Sequence, residues 1–172
     1  MAPKISQTSK MQITGKKTGS WSLPAGSSCP GAKDAEVCKS CYAQKGMYRF
    51  PTVKNVREHN KIDYHRDEWV DEMVKEVSKF DYFRWFDSGD MYSLDLANKM
   101  VEVMIKTPWV KHWLPTRMHK FPKFAKVIAK MQALDNVVVR FSSDTVQGQT
   151  VKGETPPTMF SRERQLRSTA TD

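Results

Sequence analysis

The sequence predicts an α/β fold built on a parallel β-α-β-α-β core. Three observations carry this. Three apolar or aromatic runs have strand length, two amphipathic helical stretches separate them, and each strand-like run ends in polar residues. Strand, helix, strand, helix, strand implies parallel pairing through right-handed crossovers. The order fits an open sheet or a partial (β/α) barrel, and 172 residues are too few for a complete eight-unit barrel.

In chain order, residues 1–20 predict a flexible basic arm. Residues 21–46 are punctuated by Pro24, Gly26, Pro30, Gly31 and Gly46, so an irregular loop is expected, with a short helix from Lys39. From Val53 the pattern turns helical, and Trp69, Val70, Met73, Val74 and Val77 recur at the spacing of a buried helical face. The first core strand is YFRWF, 82–86, closed by DSGD. Ser93 is a good N-cap for a helix carrying Leu96, Met100, Val103 and Met104, which should stop before Pro108. WVKHWLP, 109–115, reads as the second strand and ends in Thr116 and Arg117. Pro122 suits the first turn of the next helix, with Phe124, Val127, Ile128 and Met131 inward. NVVVRFS, 136–142, is the third strand. Residues 21–144 thus form a single α/β domain that includes the irregular loop, and 145–172, poor in apolar residues, predict a disordered tail.

A 39% hydrophobic composition with five Trp and eight Phe supports a core and excludes disorder throughout. No apolar run approaches the roughly 20 residues that span a bilayer, and the polar N-terminus lacks the centre of a signal peptide. No membrane association and a cytoplasmic location are expected. The formal charge of +9 suits nucleic acid as a partner through a basic surface, or a merely solvated basic face. The first 33 residues contain no acid and hold Lys4, Lys10, Lys16, Lys17 and Lys33.

All three cysteines, Cys29, Cys38 and Cys41, lie in the loop. In a reducing compartment such a cluster points to metal or redox chemistry before structural disulfides. Thiolates select zinc, copper(I) or iron–sulfur clusters. A closed zinc site needs a fourth ligand, with His59, His65, His112 and His119 as candidates. A [4Fe–4S] cluster on three cysteines keeps one iron open, able to take the amino and carboxylate groups of S-adenosylmethionine. Three reduced thiols without metal are the plain alternative.

Parallel sheets bind ligands at the carboxyl ends of their strands. Those ends offer Asp87, Ser88, Gly89 and Asp90 after the first strand, Thr116 and Arg117 after the second, and Ser142, Ser143 and Asp144 after the third. Carboxylates and hydroxyls suit a ribose or amine, and Arg117 a carboxylate or phosphate. The same residue types also serve as ordinary turn and cap residues. If the loop and strand ends make one site, Gly89, Asp90, Arg117 and Asp144 should face the cysteines across a single cleft.

The blocks WSLPAGSSCPGA, CKSCYAQKGMY, NVREHN, FRWFDSGDMYS, WLPTR and VVRFSSD, in this order over roughly residues 11–145, resemble the phage "gene product 88" family. Members of that family resemble radical S-adenosylmethionine enzymes in their cysteine loop and α/β core. The resemblance implies Cys29, Cys38 and Cys41 as cluster ligands and Gly89 with Asp90 at the adenosylmethionine-facing strand end. Two features depart from the pattern. The first cysteine gap is longer than the three residues usual in radical enzymes, with Tyr42 following Cys41 rather than an aromatic preceding it, and no further cysteine-rich segment follows near the C-terminus. The resemblance implies a phage-encoded, metal-binding protein in the host cytoplasm, of the radical-enzyme type. The competing expectations are a zinc-stabilised nucleic-acid-binding module and a non-catalytic protein that engages a host protein partner.

Overall fold

A computed structural model describes residues 2–8, 18–147, 149 and 151–153. Among these, five strands form one sheet in the order β1-β2-β3-β4-β5. β1 (Ser6–Gln7) runs antiparallel to β2 (Thr18–Trp21). β3 (Tyr82–Trp85), β4 (Lys111–Thr116) and β5 (Val137–Phe141) then follow β2 in parallel. The helices are α1 (Pro51–Asp63), α2 (Trp69–Val77), α3 (Leu94–Lys106) and α4 (Ala125–Gln132).

The parallel strands lie in sequential order, without the reversal of a doubly wound sheet. Right-handed crossovers then put successive helices on one face, and α2 packs on α3 and α3 on α4 in a single layer. This is the strand order of a partial (β/α) barrel. No helix among the described residues is long and apolar enough to cross a membrane.

Register explains the core. Period-two alternation turns Trp21, Phe83 and Trp85, Leu114, and Val137 and Val139 toward the helices, where all are buried. Trp21 meets Trp69 of α2 edge-on at 5.3 Å and Trp85 at 6.2 Å. Met73, Met100, Met104 and Met131 fill the helix–sheet space. The opposite face carries the row Ser20, Arg84, Trp113 and Val138, with the Arg84 guanidinium 4.4 Å above the Trp113 ring.

Three expectations need correction. Thr18–Ser20 are not part of a loose arm but belong to a buried strand between β1 and β3. Gly19 is required there, since a Cβ would lie 2.8 Å from the Phe80 ring. Trp109 stands 64% exposed ahead of β4 rather than inside it. Phe86, expected inside the first core strand, follows β3 with a positive φ of 62°, rare for a non-glycine residue, while its N–H donates to Trp21 O at 2.9 Å. Residues 9–17 of the expected arm and 154–172 of the expected tail lie outside the described residues.

The turn between α3 and β4 is held by Asn136, whose side-chain amide nitrogen lies 3.0–3.1 Å from three carbonyls, those of Met104, Thr107 and Val110. Asn136→Ala takes this donor from all three, leaving Met104 O and Thr107 O only the backbone N–H groups of Thr107 and Val110. It is expected to lower unfolding free energy by about 1–3 kcal/mol, read from urea titration. An unchanged midpoint would show the three contacts to be idle.

Candidate functional site

The cysteine loop is fastened across the carboxyl ends of three strands. Pro and Gly break it into short 3-10 turns at Pro30–Ala32, Glu36–Ser40, Tyr42–Gln44 and Gly46–Arg49. At the end of β3, Asp90 N–H donates to Ser28 O at 2.9 Å, and Ser88 exchanges two hydrogen bonds with Leu23. At the end of β4, Gly31 packs so closely that a Cβ would stand 2.7 Å from Cβ of Arg117, and Lys120 Nζ donates to Gly31 O at 3.3 Å. At the end of β5, Val37 N–H donates to Asp144 O at 3.2 Å.

Between loop and strand ends lies a cleft of about 460 Å³. Cys29, Cys38 and Cys41 all line it. So do Ser88, Gly89, Asp90, Arg117 and Ser142, whereas Thr116 and Asp144 stand behind the lining. The thiols sense one another. Burial chiefly pushes the Cys29 thiol pKa up, and Asp90, Cys41 and Cys38 add to it. Cys38 is also raised by burial, with Arg117 and Lys120 pulling the other way. Among the described residues, no group of three or more Cys, His, Asp or Glu stands as a ready-made metal site.

The strand-end polar groups mostly bind each other. Asp90, 7% exposed, accepts from Thr116 Oγ1 at 2.7 Å, Arg117 N–H at 2.8 Å and Met91 N–H at 2.8 Å. It therefore ties β3 to β4, and the cap of α3 is Ser93, which accepts from Leu96 N–H. The expected grip of Asp90 on a ligand amine or ribose meets a carboxylate already holding three donors. Burial raises its pKa to about 6 against those hydrogen bonds. Arg117 reaches Ser143 O at 2.7 Å and Asp144 Oδ1 at 3.3 Å, and Lys120 pairs with the same carboxylate. Burial works against ionised Asp144, but these two cations outweigh it and hold its pKa below the usual range.

None of the four histidines lines the cleft. His112 is buried between Trp85 and Thr107. His59 bonds to Ala2 O, and His65 stacks on Tyr64. Only His119 sits beside the Arg117–Asp144 group, stacked on Phe141 at 4.3 Å.

Sequence reasoning underweighted Asp87 and missed Arg84, Tyr42 and Tyr48. Tyr42 Oη donates to Asp87 O at 2.7 Å and Tyr48 Oη to Asp87 Oδ2 at 2.9 Å, while Arg84 Nε lies 3.6 Å from Oδ1. The signal available was alternation, which turns Arg84 away from Phe83 and Trp85.

A family model described as "Gene product 88" matches residues 2–167. No curated protein and no solved structure matches the chain.

Proposed function

The chain belongs to the gene product 88 family, and from that premise we propose a phage-encoded protein that binds metal through thiolates, with Cys29, Cys38 and Cys41 holding an iron–sulfur cluster. The observation that carries this reading is that all three cysteines line one cleft closely enough for their charges to interact. Partial burial makes Cys29 and Cys38 resist ionisation, and a thiophilic cation relieves that resistance. The donor set fits an open cluster better than closed zinc, since no histidine lines the cleft beside the cysteines. Such a cluster, when bound, would supply one open iron for a chelating small molecule, for which S-adenosylmethionine has the right amino and carboxylate groups.

The chain's own residues would position and balance that chemistry. Arg117 and Lys120 favour the Cys38 thiolate. The fastening of the loop at Ser28, Gly31 and Val37 holds the thiols over the strand ends. Arg117, already carrying Asp144, narrows the cleft on the β4 side.

Anaerobic purification followed by iron, sulfide and zinc analysis tests the reading. About four irons and four sulfides per chain, with a brown colour, are expected. Cys38→Ser should lose most of the iron. Colourless protein that stays metal-free after incubation with ferrous iron and sulfide would overturn the proposal. One tightly held zinc per chain would replace the cluster with a zinc site.

A further inference from the structure

On the other side of Asp87 lies a second cavity, of about 240 Å³, between α1 and the sheet face that carries Ser20 and Ser22. Asp87 lines both cavities and separates them. Arg57 of α1 lines the second one and is only 9% exposed. Its guanidinium lies over the Tyr48 ring at 4.7 Å, and among the described residues it makes no hydrogen bond and no ion pair.

The side chain is packed in, but its nitrogens are not among the solvent-excluded polar atoms, so they stay open to the cavity. Arginine carries five N–H donors in one plane. Stacking on Tyr48 uses the face of the guanidinium and leaves the in-plane donors available for acceptor oxygens. Among the described residues, the charges beside the cavity are Arg57, Arg84 and Asp87, with Arg84 3.6 Å from Asp87, so one positive is in excess. The first turn of the 13-residue α1 holds no acidic side chain, and Phe50 at the N-cap offers no capping acceptor. In that turn Pro51 has no N–H and those of Val53 and Lys54 donate to Phe50 O, so the N–H of Thr52, a residue that lines the cavity, is the one left to add positive potential. Asn60 is not available, since its amide is committed to Lys4 and Ser22.

We propose that this cavity binds a small oxyanion, a phosphate or carboxylate group held in plane by Arg57, with the hydroxyls of Thr52 and Ser20 beside it. The site does not depend on the cysteines. The shared wall at Asp87 places the bound group next to the cysteine cleft, as the anionic end of a small molecule reaching toward it.

Thermal melts of the full chain test this in inorganic phosphate and, separately, in succinate, with chloride holding ionic strength constant. A saturable rise in Tm with at least one anion is expected. Which anion acts identifies the group as phosphate or carboxylate. Arg57→Gln should raise the half-saturating concentration by about tenfold or more, the loss expected for a charge-assisted hydrogen bond. Arg57→Lys keeps the charge but loses the planar fork, so it should fall between the two, and it serves if Arg57→Gln does not fold. Cys38→Ser should respond as the parent does, so loss of the metal reading leaves this one intact. No saturable response in the parent protein, or an equal response in both Arg57 variants and the parent, would overturn the proposal.

Discussion

Gly89→Ala is expected to cost about 2–5 kcal/mol of stability, combining roughly 1–2 for a left-handed backbone with 1–3 for overpacking. Gly89 has φ +83°, and a Cβ there would stand 2.6 Å from Leu23 Cβ and 2.7 Å from Ser28 Oγ. Leu23 is fully buried and cannot withdraw. The added methyl must therefore push the Leu23–Ser28 segment off the end of β3, breaking the Asp90 N–H to Ser28 O bond that seats the cysteine loop. Gly46 supplies the control. It also has a positive φ, +54°, but a Cβ there meets nothing within 4 Å. Gly46→Ala should thus lose only the backbone part, about 1–2 kcal/mol. Urea unfolding of both variants separates the two causes. Equal losses would mean that close packing at Gly89 contributes nothing.

The core strands and helices were legible because their signals are local. The ends of β3, β4 and β5 follow from where aromatic or β-branched runs meet Asp, Ser and Thr, and α3 from Ser93 as its cap. β2 was not legible. Thr18-Gly19-Ser20 has weak strand propensity, and its place comes from β3 and from Phe80 packing over Gly19, contacts across more than sixty residues. The site divides the same way. That the cysteines and strand ends would share one cleft followed from topology, and seven of the nine strand-end residues do line it. Sequence could not show which polar groups would be consumed by one another. Asp90 looks like a ligand-binding carboxylate until Thr116 and Arg117 are seen on its oxygens. Arg57 looked like one polar residue on a helix, and only burial makes it informative.

Acidification is expected to reveal compensation between two buried groups. His112 is neutral in the folded protein. Its Nδ1 accepts from Trp85 Nε1 at 3.1 Å, and Thr107 Oγ1, which donates to Val103 O, leaves a lone pair for His112 Nε2–H at 2.9 Å. A second proton would sit on Nδ1 facing the Trp85 N–H. Burial pushes the pKa from 6.5 to about 3. A depressed histidine pKa means the unfolded chain takes up the proton first, so stability falls as pH drops below 6.5. Asp90 works the other way. Its pKa rises from 3.8 to about 6, so the folded chain takes up that proton first and stability climbs as pH falls through 6. Between pH 6 and 4 folded and unfolded chains each bind one of these two protons, and the contributions nearly cancel. Asp90→Asn removes the compensating group. From pH 6 to 4 the variant should lose about 2 kcal/mol more than the parent, less than the full 1.4 kcal/mol per pH unit because Asp90 titrates at both ends of the range. Surface carboxylates are common to both proteins and drop out of the difference. Urea unfolding of parent and variant across this range decides the matter: diverging curves are expected, and parallel ones would mean that Asp90 stays ionised behind its three hydrogen bonds.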